Sequence, residues 1–170
     1  MDHFARLGLP AALELEPVAL DRAYFALQRQ WHPDRFVARP PDERARASTE
    51  AAALNDAYRT LKNPLSRAFY LARLRGVDLP GDGKTIDDPE LLMEAMETRE
   101  ELHDARTIEA VDSLATKARN DMTTSLAGLG SLFLANDKGA IRKALLRLRY
   151  LDKFADEARA RRGNLERAKA

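Results

Sequence analysis

Between Pro17 and Trp31 the apolar residues Leu20, Tyr24, Leu27 and Trp31 recur at spacings of 4, 3 and 4. The same step returns in nearly every long segment of the chain. It is the repeat of an α-helix, in which residues three and four apart share a face. Alternation with period 2, the mark of a half-buried strand, is nowhere convincing. The expected fold class is therefore all-α. Each helix must bury its stripe against another helix, so the breaks between stripes decide the architecture.

Those breaks are written in proline and glycine. Pro17 suits the first position of a helix, although Glu16 is a poor cap. Pro33 biases His32 out of the α region and ends that helix. A second helix starts near Pro41, after the loop DRFVARPP, and carries Ala47, Ala51, Leu54, Tyr58 and Leu61 on one stripe. Two amphipathic helices joined by a short loop form an antiparallel hairpin, with His32-Pro33-Asp34 at its tip. KNP (62–64) breaks the second helix, and a shorter one with Leu65, Ala68, Phe69 and Ala72 runs on to Gly76.

The stretch VDLPGDGKTIDDP, residues 77–89, combines turn formers with small and acidic residues and reads as a linker. Asp88-Pro89 supplies a cap and first turn for a helix to about Asp104. The next stripe is Ile108, Val111, Ala115, Ala118, Met122 and Leu129. The last is Ile141, Ala144, Leu148, Leu151, Ala155, Ala158 and Leu165. Three such helices make a small antiparallel bundle. The expected organisation is a helical module at 1–76, a linker at 77–88 and a three-helix bundle at 89–170.

Composition removes several functional classes. Cysteine is absent, so there is no disulfide, thiolate metal site or thiol nucleophile. The opening MDHFARLGLP lacks the apolar core of a signal peptide, and no apolar run approaches a membrane span; a cytoplasmic protein is the expectation. Residues 1–76 hold 12 basic and 9 acidic side chains, residues 77–106 hold 3 and 10, and residues 107–170 hold 13 and 8. An acidic block between two basic ones suggests different partners for different faces. It argues against one continuous nucleic-acid footprint.

QRQWHPDRF, residues 28–36, concentrates the chemistry. His32 and Asp34 flank a proline instead of facing each other across a pocket, which does not suit acid–base catalysis. His3 and His103 lie far off in sequence and lack ligand spacing, so neither metal nor cofactor is expected. A plain reading is that Pro33 stops a helix while Asp34 caps the next turn. In context, the striped helix, the basic residues Arg22 and Arg29 on its outer face, the His-Pro-Asp tip and the returning NDAYRTLKNP resemble a J-domain, over about Asp2 to Gly76. The resemblance implies docking to a DnaK-type ATPase chaperone and stimulation of its ATP hydrolysis. His32, Pro33 and Asp34 would be central, with Arg22, Arg29 and Arg35 steering. Many J-domains carry a denser run of cations after the tyrosine of this helix, whereas here Tyr24 is followed by Phe25-Ala26-Leu27. That departure points to weaker reliance on charge and a specialised chaperone.

The second module carries more apolar surface than its stripes use. On the helix from Pro89, Leu91, Ala95, Thr98 and Leu102 form the core stripe. Leu92 and Met96 project to one side, and Met93 points away, bordered by Glu97, Glu100 and Asp104. On the last helix Leu146, Tyr150 and Phe154 lie opposite the heptad stripe. Such faces either pack on another element or form an exposed docking surface. The segments LLMEAMETREEL (91–102) and LRYLDK (148–153), with the opening MDHFARLGLP, resemble the HscB family of J-type co-chaperones. That resemblance implies an L-shaped pair of modules that delivers the iron–sulfur scaffold protein IscU to the chaperone HscA. It also implies a scaffold-binding face at Leu92, Met93, Met96, Glu97, Glu100 and Tyr150. The rivals are a general J-protein for unfolded clients and a nucleic-acid-binding helical protein using the arginines of the last helix. Interleaved Glu and Asp make that last face look solvated.

Overall fold

A computed structural model of the chain describes residues 1–81 and 87–169. Residues 82–86, the middle of the expected linker, lie outside the described residues. Among the described residues the regular structure is helical throughout, without strands. No helix is long and apolar enough to cross a membrane. The chain divides into two compact units, Met1–Arg75 and Gly76–Ala170.

In the first unit, a single turn, α1 (His3–Arg6), precedes α2 (Pro17–Trp31), α3 (Pro41–Lys62) and α4 (Pro64–Leu74). Pro17, Pro41 and Pro64 each stand at the start of a helix, where their missing N–H costs nothing. Glu16 makes no side-chain cap, as its type suggests. Asn63 does, accepting from the Ser66 N–H at 2.9 Å. The periodic pattern did not show α1, because one turn is too short to display a period; the Asp2 carboxylate caps it by accepting from the Ala5 N–H at 2.8 Å.

α2 packs chiefly on α3. The Tyr24 and Tyr58 rings stack at 4.0 Å. Polar bonds then fix the seam: the Tyr24 hydroxyl and the Gln28 amide both donate to Asn55 Oδ1 at 2.8 Å, and the Tyr58 hydroxyl donates to Asp21 at 2.7 Å. Leu20, Ala47, Ala51, Leu54, Ala57 and Leu61 are buried, together with Ala68, Leu71 and Ala72 of α4 and Phe4 of α1. Alanine at so many of these positions lets the backbones approach closely. Each fully buried Leu or Phe contributes about 1.5–3 kcal/mol.

The second unit holds α5 (Pro89–Asp104), α6 (Ile108–Ala135) and α7 (Lys138–Lys169). Asp88, Thr107 and Asp137 cap them, accepting from the N–H groups of Leu91, Ala110 and Ala140 at 3.1, 3.2 and 2.9 Å. Asn136 closes α6 in the left-handed region at φ 52°, a conformation asparagine tolerates better than most residues. α7 packs on both α6 and α5. Cross-links between α5 and α7 climb together: Glu90 with Lys143, Glu94 with Arg147, Thr98 with Tyr150. α5 and α7 therefore run parallel, with α6 returning between them.

This arrangement decides between the two alternatives left open for the second apolar row of α7. Leu146, Tyr150 and Phe154 are 0%, 4% and 0% exposed, respectively. A heptad stripe measures the face toward one neighbour, and α7 has two, so its apolar sector is wider than one stripe. The described part of the linker also lies against α7. Arg142 donates to the Asp78 carbonyl at 2.9 Å and to the Asp87 carboxylate at 2.6 Å, and Arg149 donates to the Pro80 carbonyl at 3.1 Å.

Candidate functional site

α2 ends at Trp31, and His32 takes an extended conformation at ψ 128°, as a residue before proline should. Pro33 opens a short 3-10 turn, Pro33–Phe36. The residue capping that turn is His32, contrary to the expectation for Asp34: its Nδ1 accepts from the Asp34 N–H at 3.3 Å. The same nitrogen lies 3.6 Å from Asp34 Oδ2. With its backbone N–H occupied in the turn, the Asp34 side chain is 86% exposed, while that of His32 is 52% exposed.

The tip is braced from behind. The Trp31 and Phe36 rings are nearly parallel, 3° apart in plane with centroids at 6.1 Å, and the Arg46 guanidinium of α3 sits 5.6 Å from the indole centre. Arg35 reaches back to donate to the Arg29 carbonyl at 2.9 Å, satisfying one of the open carbonyls at the end of α2. The tip thus presents a carboxylate and an imidazole on a backbone fixed by proline, stacked rings and an arginine brace. Arg22 and Arg29 are exposed on the same helix, seven residues apart. It is an exposed display surface beside a shallow concavity lined by Phe25, Gln28, Arg29, His32 and Arg35.

On α5 the stripe Leu91, Ala95 and Leu102 is buried. Leu92, Met93 and Met96 remain 38%, 63% and 63% exposed. Glu97 and Glu100 are exposed one turn on from Met93 and Met96. Glu94, on the inner side, is held in a fork by Arg147 at 2.7 and 3.0 Å, and Arg147 also donates to Ser125 of α6.

Of the six residues expected to form the scaffold face, five share this surface and Tyr150 does not. Its ring is in the bundle core with Leu151 and Phe154. Its hydroxyl donates to Thr98 Oγ1 at 2.8 Å, and Thr98 donates in turn to the Glu94 carbonyl at 2.7 Å. Burial pushes the phenol above its ordinary pKa, so it remains a neutral donor. Tyr150 supports the face from beneath. Thr98 was expected on the core stripe, but Glu94 and Arg147, which fix this turn of α5 with it, have no mark in the sequence beyond a Glu–Thr spacing of four on the helix that carries the methionines.

Known proteins resemble this chain along nearly its whole length. The family model described as the HSCB C-terminal oligomerisation domain matches residues 87–159. The co-chaperone protein HscB homologue of Burkholderia multivorans is 40% identical over 167 residues, covering 96% of this chain and 95% of that protein. The corresponding homologue of Cupriavidus taiwanensis is 41% identical over 156 residues, covering 90% of this chain and 89% of that protein. Among solved structures, chaperone HscB from Vibrio cholerae superposes with a TM-score of 0.83 at 33% identity, over 97% of this chain and 99% of that one. Human co-chaperone protein HscB gives 0.86 at 27% identity, over 94% and 81%. With relatives of that identity spanning nearly its whole length, the chain belongs to the HscB family of co-chaperones.

Proposed function

We propose that this protein is a non-catalytic, cytoplasmic adaptor. Its first unit stimulates the ATPase of an HscA-type chaperone, and its second delivers an IscU-type iron–sulfur scaffold protein to it. The observation that carries the reading is the 86% exposure of the Asp34 side chain on a proline-fixed, braced tip. An open carboxylate carried on a braced backbone can form a charge-assisted, bidentate pair with an arginine of the chaperone, with the backbone's ordering cost already met on this side. His32 and Pro33 fix its position, Arg22 and Arg29 steer approach to an acidic surface, and Arg35 braces the loop.

The scaffold is held by Leu92, Met93 and Met96, with Glu97 and Glu100 as an acidic rim and Tyr150 as the support beneath. Methionines are suited to such a face, because their flexible side chains fill irregular gaps. The deciding experiment is a coupled ATPase assay with purified HscA-type and DnaK-type chaperones, each with and without scaffold. Asp34→Asn is expected to abolish stimulation while scaffold affinity, measured by calorimetry, stays within twofold. Loss of both in a folded variant defeats the two-surface reading.

A further inference from the structure

Phe25 is 56% exposed. It lies on the row of α2 that also carries Val18, Arg22 and Arg29, at steps of 4, 3 and 4, and Val18 is 62% exposed. Towards the tip, Phe25, Gln28, Arg29, His32 and Arg35 line one shallow, mostly apolar concavity. The phenyl ring and the methylene stems of the arginines can supply such a lining while the guanidiniums stay solvated. Arg35 is held there by its bond to the Arg29 carbonyl, 2.9 Å long. Asp21, the one acid of α2, is engaged elsewhere, with Tyr58 and Lys62. Asp34, exposed at the tip, is therefore the acid beside an otherwise cationic and apolar hollow.

We propose that this hollow is a specificity pocket of the chaperone-docking face, filled by one apolar side chain of the ATPase chaperone that stands next to a carboxylate. The inference rests on the reading that this face docks the chaperone. Charge complementarity selects the occupant. An apolar side chain removes the phenyl ring from water, and a neighbouring carboxylate meets Arg22 and Arg29, which would repel a basic segment. Where the face depended on charge alone, salt would weaken it throughout; the phenyl contact adds a part that salt does not screen.

The test is ATPase stimulation by the full chain carrying Phe25→Ala, Phe25→Met or Phe25→Lys, with Asp34→Asn alongside, on HscA-type and DnaK-type chaperones. For the HscA-type chaperone, Phe25→Ala is expected to raise the concentration for half-maximal stimulation about tenfold, the scale of a lost aromatic anchor, with the maximal rate unchanged. For the DnaK-type chaperone the shift stays within twofold. Phe25→Met retains most of the preference, and Phe25→Lys loses it while becoming steeply salt-dependent. Equal shifts on both chaperones overturn the specificity role, as does no shift on either. So does a change in self-association by sedimentation, which would make a second copy the occupant. In each of those cases loss of stimulation by Asp34→Asn leaves the docking reading standing. Full stimulation by Asp34→Asn removes that reading, and the pocket with it.

Discussion

The double variant Met93→Ala/Met96→Ala separates a docking face from a packed core most directly. Fully burying a methionine side chain contributes about 1.5–3 kcal/mol. Both side chains are 63% exposed in the isolated protein, so the fold has used only the smaller part of that burial. Roughly 1–2 kcal/mol per methionine is left for a partner to gain. Alanine keeps the helix and even improves its propensity slightly. Unfolding by urea should therefore show a stability change within about 0.5 kcal/mol, as for most surface substitutions. Scaffold affinity should fall by about 2 kcal/mol, on the order of thirtyfold in Kd, once incomplete contact is allowed for. Calorimetry with purified scaffold reads this directly. A Kd within twofold of the parent refutes the assignment of the face. A stability loss above about 2 kcal/mol would instead mean the methionines are core residues.

Further outcomes follow from the same geometry. Tyr150→Phe keeps the buried ring and deletes its bond to Thr98, so urea unfolding should register a loss of about 1 kcal/mol, with scaffold affinity within threefold; a large affinity loss without a stability change would put the hydroxyl in the interface. Phe154→Ala empties a site that is 0% exposed, and should cost the second unit about 3–5 kcal/mol in urea unfolding; an unchanged midpoint would contradict its place in the core. The Asp87 carboxyl is held below its ordinary value of 3.8, chiefly by its hydrogen bond to Arg142. A depressed carboxylate stabilises the fold above the unfolded value, and that contribution disappears as pH falls through the folded value. The stability gap between the parent and Asp87→Asn should thus be present near neutral pH and close as pH drops below 3.8; a gap that widens on acidification has the wrong sign for this pairing.

Helix starts were legible because proline marks them. Pro17, Pro41, Pro64 and Pro89 each occupy the first turn of their helices, and a residue without an N–H has few other places in an all-α chain. The stripes were legible for the same local reason. What periodicity does not reveal is how many neighbours a helix has. The Leu146, Tyr150 and Phe154 row looked surplus only because the second partner of α7 is a separate element more than forty positions earlier in the chain. α1 escaped because its stability is tertiary: Phe4 is buried, the His3 ring stacks on Tyr70 at 4.2 Å, and Arg6 pairs with Glu50 of α3. The cap at the tip escaped because histidine and aspartate can both accept from a backbone N–H. Only the extended conformation of His32 decides which one is placed to do so.

The bond from Tyr150 through Thr98 to the Glu94 carbonyl does more than satisfy a buried hydroxyl. Together with the Arg147 fork, it holds one turn of α5 while Met93 and Met96, which have three rotatable bonds each, stay largely exposed on the outer side of that turn. The result is a stiff foundation under soft contacts. A surface of that kind can keep recognising its partner as the partner's own side chains change, because the methionines rearrange while the backbone beneath them does not. On the proposed docking face, substitutions in the partner's apolar contact should therefore be absorbed more readily than a single change at Thr98, Arg147 or Tyr150, which would let the foundation move.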